Sequence, residues 1–293
     1  MTAAAHPQSH ARPDTKPATA LGRSERPPIV IRRVEVDLDA PSPKYWYDGK
    51  PAITSFAYAL SAVFPDGERF FIDAVRHYRD RITDPALAAE VRAFIGQEAQ
   101  HGQVHERYNA RAEADGFAMS DLTKRAQQQL AELRKTAPPE VQLAITCALE
   151  HFTAMMAEQL LGDPSFSEGV PFPHLETWRW HAAEEAEHKA VAFDVYMAVD
   201  GSYAKRVRTY LVVSFMFSAS TLARTYYLMW KDGTLGSVKN HLDLLHWLLV
   251  KPGLARNVLP GWLDYLRPGF HPWDRDDRHL LDRWKREWAP AFR

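Results

Sequence analysis

The chain has 293 residues, 46% of them hydrophobic and 25% charged, which suits one large globular domain or a domain with an extension. A formal net charge of −1 gives no basis for a nucleic-acid partner, and a single cysteine, Cys147, excludes an internal disulfide. The N-terminus lacks the apolar core of a signal peptide, so the expectation is a cytoplasmic protein, with a place at the periphery of a membrane as the alternative.

Residues 1–28 are rich in Pro, Ala, Arg and Ser and read as a disordered tail. Residues 29–38, IVIRRVEVDL, alternate in polarity. No second clear strand offers to pair with them, so a packed arm is expected. From Thr54 the pattern is helical. Phe56 to Ile82 has helical spacing with a kink or break at Pro65 and Gly67. Asp84-Pro85 starts a long helix, Pro85 to Ala114, that ends near Gly116. Ser120 to Thr136 is a more polar helix, and Glu140 to Leu161 a strongly apolar one ending at Gly162. His174 to Val199 reads as a further single helix, closed by Gly201. The fold class is therefore all-α. Residues 29–201 form a helical bundle, and 202–293 an apolar helical extension packed on it. Tyr210 to Leu222 is nearly all apolar but short of the about 20 residues that span a bilayer. It reads as a buried helix covering the bundle, and His241 to Val250 follows as a second apolar patch. The alternative is a membrane-surface or homodimer interface.

The chemistry lies on four of these helices. His181, Glu185 and His188, spaced by four and three, share one helix face with Trp178, Ala192, Val195 and Val199. Glu98, His101 and His105 share another with Leu87, Val91, Phe94, Tyr108 and Ala112. Glu68 and Glu150 lie on the apolar faces of the remaining two. Register brings all four acids together. Glu68 and Glu98 are each 15 residues from the turn at Thr83, so both stand about 22 Å from it in an antiparallel pair. Glu150 and Glu185 are each 13 residues from the ends of the loop 163–172. Two acids and two Glu-x-x-His pairs on four helices are the donor set of dinuclear iron and manganese carboxylate bundles.

Charge favours a metal. Four ionised carboxylates in one apolar core repel, and two divalent cations bring +4 against −4. A buried salt-bridge network is the alternative, and it lacks cations, since Arg69, Arg92 and Arg107 point to other faces. His181 is read as an added ligand, with a supporting hydrogen bond as the alternative. His105 is read with less weight as a ligand, its alternative being a core histidine with a satisfied hydrogen bond. Glu184 and Glu187 flank the stripe and are expected in solvent, Glu184 within reach of the site's edge. The small residues Thr146, Cys147, Thr153, Ala154 and Ala157 around Glu150 leave room for a substrate, or for close helix packing.

The segments FPDGERFF (64–71), RAFIGQEAQHGQVH (92–105), ALEHFTA (148–154) and WRWHAAEEAEHKAVAFDVY (178–196) resemble a bacterial family known as predicted metal-dependent hydrolases, over about residues 30–270. That resemblance implies a ferritin-like fold and hydrolysis. The ligand pattern is also similar to the di-iron arylamine N-oxygenases. Their fourth helix carries His-x-x-x-Glu-x-x-His, its first His an added iron ligand; His181, Glu185 and His188 match it, and Glu68, Glu98, His101 and Glu150 match the other ligands. Where multicomponent di-iron monooxygenases carry Asp-Glu-x-Arg-His, this chain has QEAQH (97–101) and EEAEH (184–188).

Two reactions are expected from this set. The leading one is an oxidoreductase or oxygenase. Two iron ions, with manganese or a mixed Mn/Fe pair as alternatives, activate O2 to oxidise a small apolar substrate, fed by an unspecified electron donor. Glu68, Glu98, Glu150 and Glu185 are its catalytic carboxylates. The alternative is a metal-dependent hydrolase whose two ions activate a water. Metal storage is disfavoured, since neither a cage nor a surplus of iron-binding acids is evident.

Overall fold

The computed structural model describes residues 21–34 and 36–287, and among these every regular element is helical. Eleven α-helices follow one another: α1 (Pro51–Ser61), α2 (Phe64–Arg76), α3 (Pro85–Ala114), α4 (Met119–Thr136), α5 (Pro139–Gly162), α6 (Phe172–His188), α7 (Val191–Val199), α8 (Tyr203–Lys231), α9 (Val238–Leu249), α10 (Leu254–Asp264) and α11 (Arg278–Glu287). Proline stands in the first turn of α1, α2, α3, α5 and α6. There it costs no hydrogen bond and presets the backbone. Asp84 completes the start of α3, its carboxylate accepting from the Ala86 N–H at 2.9 Å. The break expected near Pro65 and Gly67 falls at Ala62–Val63, with Pro65 inside the first turn of α2.

Four helices make the bundle. α2 packs on α3 and α5 on α6, while α2 also meets α5 and α3 meets α6 and α7. Two apolar clusters fill it at different heights. One holds Phe70, Phe71, Val91, Phe94, Leu143 and Val195. The other, nearer α1 and the C-terminal helices, holds Val104, Tyr108, Ala157, Trp180 and Ala183. Along every bundle helix the carboxylates fall in the layer between the two clusters. Each fully buried apolar side chain contributes about 1.5–3 kcal/mol. Several per layer offset the desolvation cost of several kcal/mol for each buried ion.

Three expectations need correction here. The segment 174–199 is two helices, interrupted at Lys189 and Ala190. Neither Gly nor Pro marks the break. It falls where buried Lys189 leaves the bundle face to bind Asp277 and the Arg275 carbonyl, both at 2.7 Å, with its ammonium over the Trp273 ring. The expected disordered tail lies outside the described residues for 1–20, but residues 21–28 are pinned to the body, Arg26 reaching Asp194 at 2.6 Å. Finally, Tyr210 to Leu222 is not buried all round. One face of α8 packs on α1 and α5, while Val212, Phe215 and Met216 on the other are 57–71% exposed.

Residues 29–34 and 36–38 form an extended arm without strand pairing among the described residues, against the bundle. Arg32, Val34, Val36 and Leu38 all point inward, in phase with a period of two. Its carbonyls at Val36 and Leu38 accept from Arg107 and Arg111 of α3.

Candidate metal centre

Glu68 (α2), Glu98 and His101 (α3), Glu150 (α5) and Glu185 and His188 (α6) are each at most 3% exposed and face one another. Both carboxylate oxygens of Glu68, Glu98 and Glu150, Glu185 Oε2, His101 Nδ1 and His188 Nε2 are buried without a hydrogen-bond partner. Buried polar atoms are rarely left so, and this many in one place call for a bound ion. The spacings fit one. His188 Nε2 is 3.2 Å from Glu98 Oε1, 3.4 Å from Glu150 Oε2 and 3.5 Å from Glu185 Oε2. His101 Nδ1 is 3.4 Å from Glu98 Oε1 and 3.7 Å from Glu185 Oε1. Two donors about 2.1 Å from a common metal, at right angles or a tetrahedral angle, stand about 3.0–3.4 Å apart.

Glu185 belongs to two donor groups, one with Glu98 and His188 and one with His101 and His181, each within 4.8 Å. A carboxylate shared between adjacent donor groups is what a pair of ions requires. Glu68 forms a third group with His105 and His181. The small residue Gly102 on α3 makes room for Glu68: a Cβ there would stand 3.3 Å from Glu68 Oε2.

The histidines are set to donate lone pairs inward. His101 gives its Nε2–H to Glu184 Oε2 at 3.2 Å, which turns Nδ1 toward the acids. Burial lowers this imidazole, but its hydrogen bonds to Glu184 and Glu98 hold it well above its usual range, and a metal ion would take the place of the Nδ1 proton. His188 gives its Nδ1–H to Gln97 Oε1 at 2.8 Å, leaving Nε2 bare. Gln97 is held in that orientation because its amide donates to the Val30 carbonyl and to Glu187. His181 follows the same rule through a relay. Ser61 Oγ donates to Asn109 Oδ1, so it accepts from His105 Nδ1. His105 Nε2 therefore accepts from His181 Nδ1 at 2.7 Å. His181 Nε2 is then a bare lone pair 2.9 Å from Glu185 Oε1. Two acceptors at that distance repel unless a proton or a metal ion lies between them. His105 has both ring nitrogens engaged in this relay, which places it as the support of His181; either nitrogen it could offer the donor group with Glu68 is already hydrogen-bonded.

Electrostatics follow the same logic. Burial, then the neighbouring acids, hold Glu68 and Glu150 well above the usual carboxylate range, and burial raises Glu98 despite His101 and His188. Burial also acts on Glu185, but His188 beside it outweighs burial and pushes this carboxyl well down. Burial, with His101 beside it, drops His181 to about 4, so its ring is neutral. A divalent ion would offset the burial and repulsion that raise Glu68, Glu98 and Glu150.

Glu184 and Glu187 are the clearest departure from expectation. Both are buried, not solvated. Arg32 of the arm pairs with them, Nη1 at 3.2 Å from Glu184 Oε1 and Nη2 at 2.7 Å from Glu187 Oε1, and Lys285 reaches Glu187 at 3.1 Å. Arg32 is the cation missing from the sequence reading. It sits one layer outside the four inner acids and holds the carboxylate that orients His101. Gln97 and Glu184, the residues just before the two ligand-type glutamates, each cross to the histidine of the opposite helix.

An apolar cavity of about 110 Å³ adjoins the centre. Phe56, Leu60, Phe64, Trp178 and Trp247 wall it, with Thr153 and Ala157 of the small-residue stretch, and His181 forms part of its lining. Cys147 instead packs in the far apolar cluster. Replacing His181 with Ala is expected to leave the helix content unchanged, because the ring is at the cavity edge, and to weaken metal retention about 10–100-fold. Equilibrium dialysis against a chelator measures this.

Four helices that converge buried carboxylates and bare imidazole nitrogens on one layer define an all-helical protein with a candidate metal centre. The chain belongs to the family described as predicted metal-dependent hydrolase, whose model matches residues 30–276. No curated protein and no solved structure matches it. The family is the one that the motifs resemble. Its description backs hydrolysis, the second of the two expected reactions, and says nothing for oxygen chemistry or for iron.

Proposed function

We propose that the chain is a metal-dependent enzyme acting, at a dinuclear centre, on a small apolar substrate held in the cavity beside His181. Among reactions, the apolar surroundings of the donor groups support oxidation by O2. The carrying observation is that the donor groups meet an apolar cavity, not a polar cleft, at His181. Two iron ions held by Glu68, Glu98, Glu150, Glu185, His101, His188 and His181 would supply reduction of O2. The chain's own residues do the rest. Phe56, Phe64, Trp178 and Trp247 bind the substrate's apolar body and exclude water. Glu184, Gln97 and His105 keep a proton on the outer nitrogen of each histidine, so that the inner one stays a donor.

Hydrolysis is the second reading, and the family description favours it. In that case the same carboxylates would hold ions that polarise a water, and the cavity would select an apolar ester or related substrate. One experiment separates the two. Anaerobically prepared Fe(II) protein is mixed with O2, and the same preparation, with Fe(II), Mn(II) or Zn(II), is offered esters and phosphoesters. The oxidative reading expects O2 consumption with a new near-ultraviolet band. Inertness to O2 with metal-dependent ester turnover would replace it with the hydrolytic one.

A further inference from the structure

We propose that the outer face of α8, α9 and α10 docks on an anionic lipid bilayer, lying on its surface and not crossing it. Among the described residues, eighteen large apolar side chains are exposed, and fourteen of them lie between Tyr203 and Leu263. That concentration is not the scatter found on ordinary soluble surfaces. The side chains are in phase. Val212, Phe215 and Met216 share one side of α8; Leu242, Leu245 and Leu249 share one side of α9; Leu259 and Leu263 share one side of α10. The three helices touch: Tyr226 stacks on His241, the Trp262 N–H donates to Ser214, and α10 packs on α9. No helix among the described residues is long and apolar enough to cross a membrane, so the face can only lie along one.

Charge selects the occupant. Between Tyr203 and Leu263 the chain carries eight Lys and Arg against two Asp. Lys205, Lys231 and Lys239 sit against Asp200, Asp121 and Asp243 and Arg206 is buried, so Arg208, Arg224, Lys251 and Arg256 are the bases that face no acid among the described residues. Both acids are already neutralised, Asp232 by Lys44 at 2.5 Å and Asp243 by Lys239 at 2.6 Å. The exposed bases stand beside the apolar stripes. Arg208 is one turn before Val212, Lys251 follows Val250, and Arg256 is one turn before Leu259. An apolar face rimmed with uncompensated positive charge fits the headgroups and upper acyl chains of an anionic leaflet. A second copy of the chain fits it less well, because a two-fold contact would bring like charges together. The same helices carry Trp247, and Leu254 begins α10; both line the cavity beside His181. Docking would thus set the cavity wall next to the lipid. The docking stands apart from the reading of the metal centre, and its test uses no activity.

The full chain is sedimented with vesicles of phosphatidylcholine alone and of phosphatidylcholine containing phosphatidylglycerol. It is expected to pellet with the anionic vesicles, and to be released as salt is raised. The variant Phe215→Ser with Met216→Ser should lose at least tenfold in partitioning, since it removes two of the larger exposed apolar groups. Lys251→Gln with Arg256→Gln should lose about thirtyfold, the worth of two surface charges. All four side chains are exposed, so circular dichroism should match the parent. Failure to bind anionic vesicles would overturn the proposal. So would equal binding to neutral ones, or a stable dimer in light scattering that Phe215→Ser with Met216→Ser dissolves while vesicle binding is absent.

Discussion

Replacing Glu185 with Ala is expected to leave the chain with less than one bound metal ion where the parent holds two. Glu185 is the carboxylate common to the group with Glu98 and His188 and to the group with His101 and His181. Its removal takes a donor from both at once. Burial and mutual repulsion push the remaining acids toward their protonated form, which opposes their re-forming a site alone. The neighbouring Glu184→Gln variant is the informative contrast. Glu184 touches His101 on its outer nitrogen and lies away from the inner acids. Gln at this position keeps an acceptor for that N–H, so two ions should still bind, with affinity down about 10–100-fold. Metal content by elemental analysis after gel filtration distinguishes the two. Equal loss in both variants would mean that the inner and outer carboxylates are not functionally distinct.

Replacing Arg32 with Ala is expected to cost about 3–5 kcal/mol of stability, the usual result of leaving buried carboxylates without their cation. Arg32 is 8% exposed, and Glu184 and Glu187 are 0% and 3% exposed, so solvent screens the network little. Lys285 and Gln97 still reach Glu187, which favours the lower end of that range. The loss should shrink when Glu184 and Glu187 are both changed to Gln in the same chain, because no unpaired charge then remains. Urea unfolding of the metal-free forms measures both. If Arg32→Ala alone is as stable as the parent, the arm is not a structural part of the centre.

The fold was largely legible because its signals are local. Proline-marked starts, glycine stops and an apolar period of 3.6 place α3, α4 and α5 within a residue or two of where they lie. The meeting of Glu68, Glu98, Glu150 and Glu185 was legible too, because antiparallel hairpins convert equal distances from a turn into equal height. What escaped depends on contacts between distant segments. The break after His188 is tied to Lys189 reaching Asp277, 88 residues away. Arg32 lies 152 residues before Glu184, and no helical period connects them. A signal for it did exist: in IVIRRVEVDL, Arg32 is in phase with Val34, Val36 and Leu38, which puts a cation on the inward side of the arm. The role of Glu184 escaped for a related reason. Helical spacing places it beside the ligand stripe, and only the approach of α3 turns that flank into the support of His101.

The unpartnered acids and imidazoles call for a pair of metal ions in the layer between the two apolar clusters. The most direct test is elemental analysis of the full chain, reconstituted anaerobically with Fe(II) and freed of unbound metal. Two ions per chain are expected, and fewer than one for Glu185→Ala. A well-folded parent chain that stays metal-free under Fe(II), Mn(II) and Zn(II) alike would contradict it. The buried acids would then have to be read as a protonated hydrogen-bonding cluster.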